Sequence, residues 1–89
     1  MLHLVTRKLD DIPEFVKVNG GISLVDDIRL ASKFTSSETA AYYLKQARDL
    51  YPNAGLHLTS VPDVIIADND KNIIERGLTS VERQELESF

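Results

Sequence analysis

Alternation of apolar and polar residues predicts that the chain begins with a β-strand. Successive side chains from Leu2 to Lys8 would face opposite sides of a sheet. The strand should end before Pro13, because proline cannot donate a ladder hydrogen bond and holds the preceding residue extended. We therefore expect a first strand at residues 2–8 and a second strand that starts after the proline, at residues 14–18.

Two apolar runs on either side of Asn19-Gly20 predict a β-hairpin. The runs are residues 14–18 and 21–25. Asn-Gly between apolar runs favours a type I′ turn, which requires positive φ at both central residues. A two-residue loop would pair Phe15 with Leu24, and we expect these two side chains to share the core face.

A helical repeat of apolar residues predicts the main helix at residues 36–51. Thr35 and Glu38 fit a capping box, in which each side chain binds the backbone of the other residue. Pro52 and Gly55 would end the helix. The stripe expected to be buried consists of Ala40, Leu44, Ala47 and Tyr51, widened by Ala41, Tyr43 and Leu50.

Beyond the main helix, the pattern predicts a return strand at residues 56–61 and a short C-terminal helix at residues 80–89. Thr79 and Glu82 repeat the capping-box spacing in front of this last helix. Residues 64–76 contain two short apolar runs around a polar turn, a pattern compatible with a hairpin or with a helix. The whole chain, residues 1–89, therefore indicates one small α+β domain with an antiparallel sheet packed on one main helix.

Length and composition support a single folded domain. The chain has 89 residues, of which 43% are hydrophobic, which is enough for one core and too little for two domains. It has no cysteine, which excludes disulfides and thiolate metal sites. No apolar run approaches the roughly 18 residues of a membrane span, and the first residues do not fit a signal peptide. We therefore expect a cytoplasmic protein without membrane association.

The charges are unevenly distributed along the chain. Residues 1–61 carry seven acidic and seven basic side chains, whereas residues 62–89 carry seven acidic and three basic ones. The whole net charge of −4 therefore lies in the acidic C-terminal segment, residues 62–89. Such a segment disfavours direct binding to nucleic acid and favours a basic surface on a protein partner, such as the channel of a nucleic-acid-binding enzyme.

One group of acidic residues has the opening spacing of a calcium-binding loop. Asp68, Asp70 and Asn72 match the first ligand positions of such a loop. Ile73 stands where the loop requires glycine, however, and Thr79 stands where it requires a bidentate glutamate. We therefore expect a polar turn and no bound calcium.

Other metal or catalytic sites have no better support in the sequence. His3 and His57 could meet on one face if their strands pair, but no further ligand has suitable spacing. Known catalytic and nucleotide-binding motifs are absent from the sequence. We expect neither an enzyme nor a protein that binds a metal or a cofactor.

Protein binding has the best physical support in the sequence. Tyr42 lies on the polar face of the main helix, where an exposed tyrosine among mixed charges can anchor an interface. The open edge of a small sheet offers a second route, by strand addition, and a homodimer is an alternative for so short a chain. The candidate protein-binding residues are Tyr42, Lys45, Gln46 and Asp49 on the helix, with Asp68, Asp70, Glu75, Glu82 and Glu85 in the acidic segment.

Residues 15–47 contain a Val-Lys-Val-Asn-Gly hairpin, a D-x-x-x-A-x-x-F segment and an S-x-E-x-A helix start, in this order. The combination resembles a recurrent pattern in short accessory proteins of bacteriophages and prophages. The resemblance implies a ββαβ-like unit that acts stoichiometrically, blocking a host enzyme or a defence nuclease as anti-CRISPR proteins do. A small regulatory or nucleic-acid-associated module is the alternative. The matching positions are Val16, Lys17, Val18, Asn19, Gly20, Asp27, Ala31, Phe34, Ser36, Glu38 and Ala40.

Overall fold

The fold is a mixed β-sheet with two helices, seen in a computed structural model that describes residues 1–62 and 70–88. It confirms the α+β class expected from the sequence. The predicted helices and strands are present, and their ends differ from the predicted ones by at most two residues. The elements are β1 (Leu2–Leu9), β2 (Ile12–Val18), β3 (Ile22–Val25), β4 (Lys33–Phe34), α1 (Ser37–Leu50), β5 (His57–Val61), β6 (Ile73–Ile74) and α2 (Ser80–Glu87).

Strand β1 lies at the centre of the sheet. On one side it pairs with β5 along five residues, and on the other side it pairs with β2 and then with β4. Strand β3 extends the sheet beyond β2, and β6 extends it beyond β4. The β4–β6 pair is parallel, so the sheet is mixed where we expected an antiparallel one. Parallel pairing is possible here because the long segment between the two strands, which includes α1 and β5, carries the chain back across the sheet.

The turn between β1 and β2, at Asp10 and Asp11, has the type I′ geometry that the sequence predicts for Asn19-Gly20. Asp10 and Asp11 both have positive φ, 51° and 65°, as a type I′ turn requires. Strand β2 therefore starts at Ile12 and includes Pro13, so the predicted start at residue 14 is wrong. Proline is tolerated there because this end of β2 extends beyond β3 and pairs with β1.

The hairpin of β2 and β3 pairs one residue out of the predicted register. Its loop, Asn19–Gly21, has three residues, with Gly20 at a φ of 71°. As a result Val16 pairs with Leu24, and the predicted pair of Phe15 with Leu24 is wrong. A shift of one residue exchanges the two faces of a strand. This explains why Val16 is fully buried, whereas Phe15 is only half-buried.

Helix α1 packs against the sheet through small and aromatic side chains. Ala40 and Ala47 are fully buried, which allows the helix to lie close to the strands. Leu50, which the predicted stripe included, is 59% exposed, so the predicted stripe was too wide at the C-terminal end of the helix. Among the described residues, no helix is long and apolar enough to cross a membrane. One buried cluster of the core consists of Val5, Val16, Phe34, Ala40, Ala47 and Leu56, and Leu2, Leu4 and Ala31 are buried as well.

The start of α1 differs from the predicted capping box. Ser36 is the N-cap, and its hydroxyl accepts a hydrogen bond from the backbone N–H of Thr39 at 3.4 Å. Thr35 instead donates its backbone N–H to the carbonyl of Ile74 in β6, at 3.1 Å. The tertiary contact with β6 thus takes Thr35 away from the capping role that its spacing from Glu38 suggested.

Candidate functional site

Polar contacts join α2 to α1. No residue of α2 is buried. The hydroxyl of Tyr42 donates to a carboxylate oxygen of Glu85 at 3.0 Å, and the ammonium group of Lys45 donates to the backbone carbonyl of Glu85 at 2.6 Å. Arg83 pairs with Glu38 across the same boundary, at 2.7 Å. Because exposed ion pairs contribute little free energy, α2 is held less firmly than the sheet and α1.

The start of α2 matches its sequence pattern. Thr79 donates its backbone N–H to the carboxylate of Glu82 at 3.0 Å, and Glu82 donates its backbone N–H to the hydroxyl of Thr79 at 3.2 Å. The predicted capping box at these two residues is therefore confirmed.

Arg76 connects α2 to the aromatic side chains of the core. Its guanidinium donates two hydrogen bonds to the carboxylate of Glu82, at 2.7 and 2.9 Å, and one to the hydroxyl of Tyr43, at 2.6 Å. The guanidinium carbon also lies 5.7 Å from the centroid of the Tyr43 ring, a distance typical of a cation–π contact. Tyr43 in turn stacks on Phe34 with centroids 5.4 Å apart. Arg76 thus connects a surface carboxylate to a buried ring.

The ionisation of these groups follows from their contacts. The hydrogen bonds from Arg76, together with the backbone N–H of Thr79, lower the pKa of Glu82 to about 2. Glu82 and Tyr43 in return raise the pKa of Arg76. Burial and the contact with Glu85 raise the pKa of Tyr42. At neutral pH the site therefore holds an ionised Glu82, a charged Arg76 and a neutral Tyr42 hydroxyl that donates a hydrogen bond.

A groove of about 350 Å³ opens between the β2–β3 loop and the two helices. On the loop side, Gly20 and Gly21 contribute backbone without side chains, and a Cβ at either position would contact no atom within 4 Å. Gln46 lines the helix side and forms no side-chain hydrogen bond with the described residues, so its amide is available to a ligand. The groove is lined by Val18, Gly20, Gly21, Ile22, Tyr42, Tyr43, Gln46 and Glu82.

The structure brings five of the nine candidate protein-binding residues to this surface, which we call the α1–α2 surface. They are Tyr42, Lys45, Gln46, Glu82 and Glu85. Asp49 and Glu75 are exposed and take no part in the contacts described above. Asp68 lies outside the described residues. The role of these residues in binding stays a prediction, but their placement defines one surface on which it can be tested.

Asp70 lies apart from the α1–α2 surface and is bound to a buried lysine. The side chain of Lys33 is 1% exposed, and its ammonium group lies 2.6 Å from a carboxylate oxygen of Asp70 and 3.2 Å from the carbonyl of Arg29. Burial opposes ionisation of Asp70, but the hydrogen bonds from Lys33 and from the backbone of Asn72 outweigh it and lower the pKa of Asp70. This carboxylate is therefore neutralised within the fold.

Several residues of the α1–α2 surface and of the Lys33–Asp70 pair have no signal in the sequence. The helical repeat predicts Tyr43 as part of the buried stripe of α1. Its hydroxyl also accepts a hydrogen bond from Arg76, which is 33 positions away in the sequence. Lys33 and Asp70 are 37 positions apart. The glycines of the β2–β3 loop had a sufficient explanation as turn residues. Only the spatial proximity of loop and helix reveals the groove.

The two histidines do not come together. Strands β1 and β5 pair, but His3 lies opposite Ser60 and His57 lies opposite Thr6, which places the two rings on opposite faces of the sheet. The ring nitrogen Nδ1 of His3 lies 3.0 Å from the hydroxyl of Ser60. Within residues 1–62 and 70–88, no three side chains of the types that bind metals are grouped together.

Comparison with protein families, with curated proteins and with solved structures finds no match for the chain. The resemblance to phage accessory proteins therefore stays a prediction. The α1–α2 surface and its groove are the features from which a function can be argued.

Proposed function

We propose that this protein acts by stoichiometric protein binding, with the groove of the α1–α2 surface as its contact site. The groove supports this proposal because it combines two tyrosine rings, a free amide at Gln46 and accessible loop backbone at Gly20 and Gly21. Aromatic rings supply contact area, and amide and backbone groups supply hydrogen bonds, which together suit a segment of another protein.

The partner that we propose is a host enzyme or a defence nuclease, blocked in the cytoplasm of the host cell. The net charge of −4 supports a partner with a basic surface, because opposite charges accelerate encounter and favour correct orientation. Glu82 and Glu85 are engaged with Arg76 and Tyr42, so the charge of the chain would act mainly at long range. Contact itself would depend on the groove.

A pair of groove-filling variants tests the proposal. Gly21→Leu adds a side chain into open space at a position whose φ is not positive, and Gln46→Arg replaces the free amide by a larger charged group. Gln84→Arg is the matched control, because Gln84 is exposed on α2 and does not line the groove. Each tagged protein is used to capture partners from host lysate at salt near physiological, and each captured protein is assayed for inhibition.

We expect the wild type and Gln84→Arg to recover one host protein at a one-to-one ratio and to inhibit it. Gly21→Leu and Gln46→Arg should lose both capture and inhibition. The proposal is wrong if no protein is recovered, or if the groove-filling variants bind and inhibit as well as the control does.

Direct nucleic-acid binding is the alternative, and three basic side chains that it would need already have acidic partners. These pairs are Arg7 with Glu14 at 2.6 Å, Arg29 with Asp27 at 2.9 Å, and Lys33 with Asp70 at 2.6 Å. A mobility-shift assay over a series of salt concentrations separates the two functions, because binding through phosphate contacts weakens steeply as salt rises.

A further inference from the structure

Strand β5 forms an outer edge of the described sheet whose protection against pairing lies at its two ends, where Arg48 donates to the carbonyl of Leu56 at 3.0 Å and Pro62 follows the last residue. All five of its residues pair with β1, and no other described strand pairs with it. Natural proteins protect such edges with charged side chains, proline or bulges. The strand His57–Val61 contains no acidic residue, lysine, arginine or proline, and Leu58 is 36% exposed.

The other outer strands of the described sheet are shorter. Strand β3 has four residues and β6 has two. Strand β5 therefore presents the longest uncharged row of backbone donors and acceptors at the edge of this sheet.

We propose that β5 binds β5 of a second copy of this chain, in antiparallel register about a two-fold axis at Thr59. In this register Thr59 lies opposite Thr59 of the second copy, and Leu58 lies opposite Ser60. His57 lies opposite Val61. No acidic or basic pair of like charge is brought together, and threonine opposite threonine is a favourable cross-strand pair. Because this register pairs the strand with itself, the same surface of both copies forms the interface, as a two-fold axis requires.

This pairing joins the two sheets into one. The order of strands becomes β3-β2-β1-β5 followed by β5-β1-β2-β3 of the second copy. Directly opposite residues of an antiparallel pair lie on the same face, so both α1 helices cover one side of the joint sheet. The groove lies beside the β2–β3 loop, at the edge away from β5, and stays open in the dimer. Dimerisation and groove binding are therefore separate properties with separate tests.

Light scattering coupled to size exclusion, over micromolar to millimolar concentrations, tests the dimer. The mass of the wild type should rise with concentration from 10.0 kDa towards twice that value. Thr59→Lys and Thr59→Glu each place like charges opposite one another on the axis and should remain monomeric. An equimolar mixture of these two variants should recover the dimer, because opposite charges then meet.

A control and a second pair of variants complete the experiment. Ser23→Glu places the same charge as Thr59→Glu on an exposed position of β3, opposite Lys17, and should dimerise as the wild type does. If circular dichroism finds a Thr59 variant unfolded, Ser60→Lys and Ser60→Glu replace the Thr59 variants. Ser60 is exposed, and in the proposed register it lies diagonally across the axis from Ser60 of the second copy. A wild type that stays monomeric at every concentration, or folded charge variants that dimerise like the wild type, would overturn the proposal.

Discussion

The most unusual residue of the protein is Lys33, a lysine inside the fold. Its side chain is 1% exposed, and Asp70, which neutralises it, is 9% exposed. Asn72 completes the arrangement, because its side chain donates to the carbonyl of Arg29 at 2.9 Å, the same carbonyl that Lys33 binds. Breaking a buried pair is costly because the remaining charge has neither water nor partner. The pair therefore helps to hold the segment that leads into β6 against β4.

Removal of Asp70 should destabilise the protein far more than removal of an exposed carboxylate. We expect Asp70→Ala to lower the free energy of unfolding by about 3–5 kcal/mol, the usual cost of breaking a buried ion pair. Lys33→Met combined with Asp70→Ala should recover part of this loss, because no unpaired charge then remains buried. Urea unfolding curves give these values, and Asp26→Ala, at an exposed position, is the control. Equal effects of Asp70→Ala and Asp26→Ala would contradict this account.

At the scale of elements, α2 is the least firmly held part of the described chain. Its own start is well defined by the capping box, but none of its residues is buried. Its attachment depends on polar groups: Arg76, Tyr42 and Lys45 donate to Glu82 and Glu85 of the helix, and Arg83 of the helix donates to Glu38 of α1. We therefore expect α2 to open before the sheet does.

Loss of the cap should open α2 locally without unfolding the sheet. Thr79→Ala removes the hydroxyl that accepts the backbone N–H of Glu82, a loss worth about 1 kcal/mol at a helix N-cap. Amide hydrogen exchange should accelerate within Ser80–Glu87 and stay unchanged in β1. Ser80→Ala, one residue further on, is the control and should leave exchange in α2 nearly unchanged.

Acid should release α2 through Glu82. The pKa of Glu82 is lowered from 4.5 to about 2 in the folded protein, so its stabilising effect is complete above pH 4.5 and is lost as pH falls towards 2. Amide hydrogen exchange within Ser80–Glu87, corrected for the intrinsic pH dependence of exchange, should show α2 opening more steeply towards low pH in the wild type than in Glu82→Gln. Glu87→Gln, an exposed change in the same helix, should behave as the wild type does. Identical pH profiles for the wild type and Glu82→Gln would refute this role.

At the scale of the whole molecule, β1 organises the fold. It pairs with β2, β4 and β5, and α1 packs across it. A strand with neighbours on both sides and a helix above it cannot lose one contact without weakening the others. The sheet and α1 therefore form one cooperative body, to which α2 is attached.

Unfolding of this body should occur in one step. We expect far-UV circular dichroism and tyrosine fluorescence to report the same urea midpoint, since Tyr43 and Tyr51 both pack against the core. A Thr79→Ala variant should keep that common midpoint nearly unchanged. Two separate midpoints for the sheet and for the tyrosines would contradict a single cooperative body.

The parts of this architecture that sequence could predict are those with local causes. The repeat of apolar residues located α1, and the spacing of Thr79 and Glu82 located the start of α2. Contacts between distant residues had no such signal, which is why the parallel β4–β6 pair and the Lys33–Asp70 pair were missed. Turn chemistry failed for a second reason. The pairing of β2 with β3 leaves a three-residue loop at Asn19–Gly21, where the sequence predicts a two-residue type I′ turn. The type I′ geometry occurs instead at Asp10 and Asp11.

The candidate site was predictable only in part. Tyr42, Lys45 and Gln46 could be placed on the outer face of α1 from the helical repeat. Their neighbours Glu82 and Glu85 belong to another helix, and nothing local indicated that α2 would lie beside α1. The groove depends in addition on the β2–β3 loop, whose position relative to the helices follows from the complete sheet.

The burial of Lys33 has a practical consequence for following the protein in solution. Lys8 and Lys71 are exposed, so an acylating reagent can reach their amines in the native state, whereas the amine of Lys33 is shielded. Acylation of Lys33 would require β4 and the segment around Asp70 to separate. The rate at which mass spectrometry detects this modification therefore reports how often that part of the molecule opens, without any added label.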